Sequence, residues 1–484
     1  MKKILMFPAL IIYLFLNSCS HHNVSGRLPN IIIIFTDDQG YADVGVYGAK
    51  GFTTPNIDKM AGEGMRFTDF YVASPVCSPS RAALLTGCYP QRVGIPGVLF
   101  PEHQNTEWNP EERITKTGLN QEELTLAEML KTRGYATAAY GKWHLGHHQQ
   151  FLPLQNGFDE YFGLPYSNDM RPGPKPGEHP YPPLPLMNGN EVYRYMEDDQ
   201  SMLTREYTER AIDFIKRHMD GPFFVYLPHT MPHIPLYVSD EFQGKSEKGI
   251  YGDVIEEIDW SVGQINKTLE ELDLADNTWV IFATDNGPWL SYGDHGGSAY
   301  PLREGKFTTF EGGMRVPCIM KWPGKIPAGS ECSELAATID LLPTIAIITG
   351  SDLPANNIDG HNIQSLVFGD KNAKTPTDAY FYYNGWQLQA VRSGKWKLHL
   401  PHKYSAVVVA EDGNRYGRKG IPSEIGLSLF NLEEDIGEHI NLADKYPEIV
   451  EDLLKKAEIM KKDLGDSKET GAGKRDCGWQ ISDK

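Results

Sequence analysis

Four short apolar runs in this chain each stop at polar residues with chemical capacity. Residues 30–35 run into Asp37 and Asp38, residues 135–140 into Lys142 and His144, residues 223–227 into His229 and His233, and residues 279–283 into Asp285 and Asn286. Runs of this length and composition predict strands. Between them, 124–130 closes at Gly134, 207–215 closes at Gly221, and 254–272 carries apolar residues at helical spacing, which predicts helices. Strands alternating with helices imply an α/β fold: a large, mostly parallel sheet covered on both faces, with its ligand site beyond the carboxyl ends of the strands. A polar residue after one strand is ordinarily a solvated loop. Four such clusters at four strand ends become one predicted site.

The pattern changes after a helix-like stretch at 339–350. Residues 351–377, rich in Asp, Asn, Gly and Pro, read as a linker. Short runs at 379–383, 387–392, 396–400 and 427–432 then predict a smaller antiparallel sheet, followed by an amphipathic helix over 447–464. The expected organisation is a catalytic domain over 24–360 and a C-terminal subdomain with a tail over 361–484. The Pro-rich stretch 172–185 reads as an irregular surface excursion at the pocket rim.

Composition narrows the function. A chain of 484 residues, 40% hydrophobic and 23% charged, is an ordinary globular protein with room for two cores. Its 46 basic and 64 acidic side chains give a net charge of −18, which excludes non-specific nucleic-acid binding, because that needs a basic face. An anionic substrate would need a local basic pocket. Lys2, Lys3 and the apolar run 4–16 form a targeting segment, too short to span a bilayer comfortably. Six cysteines are too few for a disulfide scaffold in so long a chain.

Asp37, Asp38, Asp285 and Asn286 offer oxygen donors, the set that calcium or magnesium prefers. Taken singly, each is equally a helix cap or a turn residue. Cys77 opens the stretch Cys-Ser-Pro-Ser-Arg-Ala-Ala-Leu-Leu-Thr-Gly-Cys, a turn leading into an apolar helix. Pro79 suits a first helical turn, whose free N–H groups attract anions. Read alone, Cys77 is an ordinary or reactive thiol, yet a thiolate is a poor partner for a hard cation.

Cys77-x-Pro79-x-Arg81 followed by Leu84-Leu85-Thr86-Gly87 resembles the signature of the formylglycine-dependent sulfatases of the alkaline phosphatase superfamily. The motifs are nearest those of the arylsulfatase A and galactosamine-sulfatase branch. The resemblance spans 28–464 and implies an alkaline phosphatase-like fold. It also implies that a formylglycine-generating maturation enzyme oxidises Cys77 to an aldehyde, whose hydrate attacks sulfur. One Ca2+, or alternatively Mg2+, would be held by Asp37, Asp38, Asp285, Asn286 and the oxygen replacing the Cys77 sulfur. Arg81 would hold the diol oxygens. In Gly-Lys-Trp-His-Leu-Gly, Lys142 would touch sulfate and nucleophile, and His144 would take the diol proton. His233 would protonate the leaving oxygen, with His229 the weaker choice. Lys306 would be the second sulfate-binding lysine, Ser167 would line the sulfate pocket, and His295 would add a substrate contact. Trp143 and Trp289 read as packing residues.

Leu16-Asn17-Ser18-Cys19 resembles a bacterial lipobox. That implies a signal peptide over 1–18, a lipidated Cys19 as first mature residue, and a periplasmic or surface lipoprotein of the cell envelope, or a secreted protein if the lipobox is unused. Cys88, Cys318, Cys332 and Cys477 would then remain to pair. The expected function is hydrolysis of sulfate esters on sulfated glycans carrying galactose or N-acetylgalactosamine sulfate. Two alternatives stay open: a phosphatase or phosphodiesterase of the same superfamily, and a sulfated-glycan-binding lipoprotein without catalysis, as would follow if Cys77 stayed a thiol.

Overall fold

The computed structural model describes residues 27–102, 115–173, 181–196, 199–407, 420–467 and 469–480. The signal segment 1–18, Cys19 and part of 172–185 lie outside them. The main sheet is built from β1 (Asn30–Thr36), β2 (Met65–Phe67), β3 (Ala136–Tyr140), β4 (Glu160–Gly163), β5 (Leu184–Asn188), β6 (Glu191–Met196), β7 (Phe223–Pro228), β8 (Thr278–Thr284), β9 (Cys318–Lys321) and β10 (Ser330–Cys332). Their spatial order is β10-β2-β9-β8-β1-β7-β3-β4-β5-β6. At its centre β1 pairs in parallel with β8 and β7, and β3 in parallel with β7 and β4. Antiparallel pairs flank that centre, with β9 against β8 and β2 on one side and the β5–β6 hairpin against β4 on the other, while β10 lies parallel to β2 at its edge.

The continuous apolar run of β1 follows from burial on both faces. Ile31, Ile33 and Phe35 enter one core with residues of helices Cys77–Thr86 and Leu341–Thr349. Ile32 and Ile34 enter the other, beneath helices Leu203–Arg217 and Gly249–Glu271. Each fully buried side chain of this kind contributes about 1.5–3 kcal/mol, so a strand that slipped by one residue would lose little in burial. The register is set instead by its polar ends, where Thr36 faces Thr284 and the next residues carry carboxylates.

A second, antiparallel sheet is formed by β11 (Tyr380–Asn384), β12 (Gln387–Ser393), β13 (Trp396–His399) and β14 (Ser428–Asn431). Helix Pro447–Leu464 covers it with Val450, Leu453, Ala457, Met460 and Leu464. Tyr71, Ala83, Tyr89, Met314 and Ile339 from the first region belong to the same core. This sheet therefore shares its interior with the Cys77–Thr86 helix and neighbouring segments of the first region.

Three local readings change. The segment 351–377 is not a free linker, because Ile363, Leu366 and Val367 enter the main core. One of its acids binds protein: the Asp359 carboxylate accepts from Arg92 Nη2 at 2.7 Å and from the Tyr89 amide at 2.8 Å. The 172–185 excursion ends in strand β5, which begins at Leu184. The tail returns to the large region, where Gly478–Trp479 pairs with Thr117–Gly118 and Arg475 meets Glu123 at 2.6 Å. Among the described residues Cys77, Cys88, Cys318 and Cys332 are free thiols.

Candidate active site

The carboxyl ends of β1, β3, β7 and β8 converge on one buried cluster. Parallel pairing of Thr36 with Thr284 brings Asp37 and Asp38 beside Asp285 and Asn286. The Asp38 amide donates to Asp285 Oδ1 at 3.1 Å, and Asn286 Nδ2 donates to Asp38 Oδ1 at 2.7 Å. Asp38 takes the left-handed conformation, with φ 64°, which aspartate tolerates better than most residues. At the end of β3, Gly141 has φ 137°, and a Cβ there would stand 1.8 Å from the Pro228 carbonyl oxygen of β7. Only glycine lets the Lys142 strand end approach that closely.

Helix Cys77–Thr86 aims its N-terminus at the cluster. Its N-cap, Val76, supplies no side-chain acceptor to the first turn. Arg81 lies one turn along this wholly buried helix. Its Nε and Nη2 donate to Asp285 Oδ2 at 3.0 and 2.7 Å, and its Nη1 donates to the Lys142 carbonyl at 3.0 Å. Lys142 Nζ donates to Asp37 Oδ2 at 2.5 Å and to Ser167 Oγ at 3.1 Å. Lys306 Nζ stands 2.7 Å from Asp38 and 3.5 Å from Cys77 Sγ.

These donors fit a hard divalent cation. One ligand atom from each of Asp37, Asp38, Cys77 and His233 lies within 4.8 Å of the others. Asp37 Oδ1 and Asn286 Oδ1 are buried without a hydrogen-bond partner. An unmet buried acceptor costs about 1–3 kcal/mol, which a cation between them would remove. Both oxygens of Asp285 already accept protein hydrogen bonds, as do both oxygens of Asp38, whereas Asp37 and Asn286 each keep an unpartnered oxygen. Arg81, Lys142 and Lys306 balance Asp37, Asp38 and Asp285, so a divalent cation would turn a neutral cluster into a positive one suited to an oxyanion.

Electrostatics separate the roles. Burial opposes ionisation of Asp37, but the neighbouring Lys142, His233, Arg81 and Lys306 charges hold its carboxyl well below the usual range. Burial pushes the Cys77 thiol up to about 12 despite Lys142 and Lys306, so at neutral pH it stays protonated and weakly nucleophilic. Burial, then the Lys142 charge, keeps His144 neutral well below its ordinary value. His144 Nε2 bonds the Leu99 carbonyl at 2.8 Å, and its buried Nδ1 is unpartnered. Burial and Lys306 likewise lower His233, whose Nδ1 bonds the Ile234 carbonyl at 2.6 Å while Nε2 lies 3.5 Å from Asp38 Oδ2.

The structure thus gathers Asp37, Asp38, Cys77, Arg81, Lys142, Ser167, His233, Asp285, Asn286 and Lys306, with His144 close enough to feel the Lys142 charge. His229 instead bonds Ser261 Oγ at 3.1 Å, a buried contact between strand and helix. His295 is exposed at the end of the 3-10 turn Leu290–His295. Trp143 packs on Phe158, as expected of a core residue. Trp289 does more than the sequence suggests, since it packs against the His233 ring and lies 4.6 Å from Lys306 Nζ in a cation–π contact. No local signal in the sequence distinguishes it from the other tryptophans.

Fold and site together define a hydrolase for esters of tetrahedral oxyanions. Comparison with known proteins identifies the group: the family model described as Sulfatase matches residues 29–351, and the chain belongs to the sulfatase family. Models of an N-sulphoglucosamine sulphohydrolase C-terminal region and of the C-terminal region of aryl-sulfatase match 304–405 and 375–481. The chain is 42% identical to N-acetylgalactosamine-6-sulfatase of Canis lupus familiaris over 77% of its own length and 72% of the relative's. It is 38% identical to arylsulfatase A of Bos taurus, over 90% and 87% respectively. The crystal structure of the PsFucS1 sulfatase from Pseudoalteromonas sp. superimposes with a TM-score of 0.79 at 28% identity, covering 93% of this chain and 92% of that one. The protein is a sulfuric ester hydrolase, and neither the phosphatase nor the non-catalytic alternative is favoured.

Proposed function

We propose that this sulfatase removes sulfate from galactose or N-acetylgalactosamine units of a sulfated glycan, with one calcium ion and a formylglycine derived from Cys77, magnesium being the alternative ion. The observation that carries the sugar assignment is Ser167, whose Oγ accepts from Lys142 Nζ at the position that resembles the galactosamine-sulfatase branch. The 42% identical relative bears the name N-acetylgalactosamine-6-sulfatase. A formylglycine-generating maturation enzyme is the partner this reading requires.

When bound and formed, the cation and the hydrated aldehyde would supply an acidified oxygen nucleophile at position 77. Asp37, Asp38, Asp285 and Asn286 would hold the cation. Arg81 fixes Asp285 and the Lys142 backbone from the nucleophile's own helix. Lys142 pairs with Asp37 and Lys306 with Asp38 in the same cluster, and there they would hold sulfate oxygens. His144 Nδ1 is a neutral, unpartnered base suited to take the proton from residue 77. His233 presents Nε2, because Nδ1 is held by the Ile234 carbonyl, and as the imidazolium, which the neighbouring Asp38 and Asp37 charges favour, it would deliver the Nε2 proton to the departing sugar oxygen.

We place the catalytic machinery in 24–360 with 361–484 as its C-terminal subdomain, and the mature protein at the bacterial cell envelope through a lipidated Cys19. Sulfate release from a panel of defined sulfated saccharides tests the substrate, and turnover of small aryl sulfates alone would defeat the glycan assignment. Mass spectrometry of the peptide bearing residue 77, from protein made with a maturation enzyme, tests the nucleophile; an unmodified thiol in active protein would overturn it.

A further inference from the structure

Lys397 is among the most completely buried charges in the molecule, and it lies in strand β13 of the C-terminal sheet. Its ammonium donates to the Thr309 carbonyl at 2.8 Å and to Glu311 Oε1 at 2.9 Å, and meets Glu438 Oε1 at 2.9 Å. Those three acceptors saturate the three N–H groups of a lysine. Two of them belong to the loop that carries Lys306.

That loop, 303–313, is held at its centre by the large region, where the Lys306 and Phe307 amides donate to the Pro288 and Pro75 carbonyls at 3.0 Å, and along the rest of its length mainly from the C-terminal side. Arg303 Nη1 donates to the Glu438 carbonyl at 2.8 Å, and Glu304 accepts from the Val407 amide at 2.9 Å. The Phe307 carbonyl accepts from Asn384 Nδ2 at 2.8 Å, Thr309 Oγ1 donates to Gln389 at 3.0 Å, and the Glu311 amide donates to Glu438 Oε2 at 2.7 Å. Glu304 and Phe307, on either side of Lys306, have φ of 57° and 72°. Non-glycine residues keep such conformations only where their surroundings impose them.

We propose that Lys397, with Glu438, is a positioning residue for Lys306. The C-terminal sheet is then part of the sulfate site: it clamps the strained loop from behind and sets where the Lys306 ammonium stands beside Asp38 and residue 77. A buried ammonium with every donor engaged defines one geometry, whereas surface contacts would leave the loop several.

The test is a double-mutant cycle on the full chain, produced with a formylglycine-generating enzyme and normalised to aldehyde content, using an activated aryl sulfate. Lys397→Met should lower kcat/KM at least tenfold and raise KM, which a smaller amount of folded enzyme cannot do. In a Lys306→Ala background the same change should cost less than threefold, because the group it positions is gone. Full multiplication of the two losses, or an unchanged KM in Lys397→Met, would overturn the proposal. Should Lys397→Met fail to fold, Asn384→Ala removes only the rim contact to Phe307 and should show the same dependence on Lys306 with a smaller loss. A loss from Asn384→Ala that is equal in both backgrounds would also overturn it.

Discussion

Lys306 straddles Asp38, its Nζ standing 2.7 Å from each carboxylate oxygen. A lysine there answers the carboxylate that a cation would otherwise engage, so ligand and counter-ion compete for the same oxygens. With sulfate and a cation bound, the ammonium would be free to turn from Asp38 to the oxyanion.

Adding calcium to chelator-treated protein should therefore raise the melting temperature. Saturation at one hundred times the dissociation constant would contribute about 2.7 kcal/mol. Differential scanning with calcium, magnesium and no metal measures this. Equal melting curves in all three would remove the cation from the proposed site.

Activity should track the aldehyde content of residue 77 and not the thiol. With the Cys77 thiol pushed up to about 12, only about one molecule in 10⁴ would carry a thiolate at pH 8. Cys77→Ala should keep the fold, since little volume changes, and lose at least a thousandfold in rate. A thiol-only preparation with appreciable turnover would contradict this.

Ser167→Ala should raise KM for a sulfated monosaccharide about 2–10-fold, the worth of one hydrogen bond at 0.5–1.5 kcal/mol. Its melting temperature should stay close to that of the unaltered protein. Steady-state kinetics on a galactose sulfate measures the effect, and an unchanged KM would detach Ser167 from the sulfate pocket.

Acid should weaken the fold through its buried histidines. Burial lowers His229 to about 3, so the native state keeps it neutral while the unfolded chain protonates near 6.5. The unfolded state then binds more protons, and stability present above 6.5 is lost as pH falls from there towards 3. His399, lowered to about 4 by burial despite Glu438, acts in the same direction. His229→Gln should flatten the fall in melting temperature between pH 6.5 and 4; a slope equal to that of the unaltered protein would exclude this source.

Much of the site was legible in the sequence because a strand buried on both faces reads as an unbroken apolar run, and its end is where side chains can first turn polar. Asp37, Lys142, His233 and Asp285 were found that way, and the helix-opening Cys77 with Arg81 by motif. Residues 351–377 were misread because their Asp and Asn composition suggests solvent, whereas Asp359 is spent on Arg92 and the Tyr89 amide. Trp289 and Lys397 were not legible as site components, since a side chain whose partners lie far along the chain leaves no local period.

The sequence by itself determined the alternation of strands and helices, the oxygen donors at the strand ends, and the family motif around Cys77. Local patterns of burial and spacing carry that information. Only the tertiary structure decided which of the buried histidines faces the cluster, that Asp285 is tied to Arg81 as well as to the Asp38 amide, and that the C-terminal sheet grips the Lys306 loop. Those are long-range pairings of buried charge, selected when the two regions of the chain pack together and water can no longer satisfy each group alone.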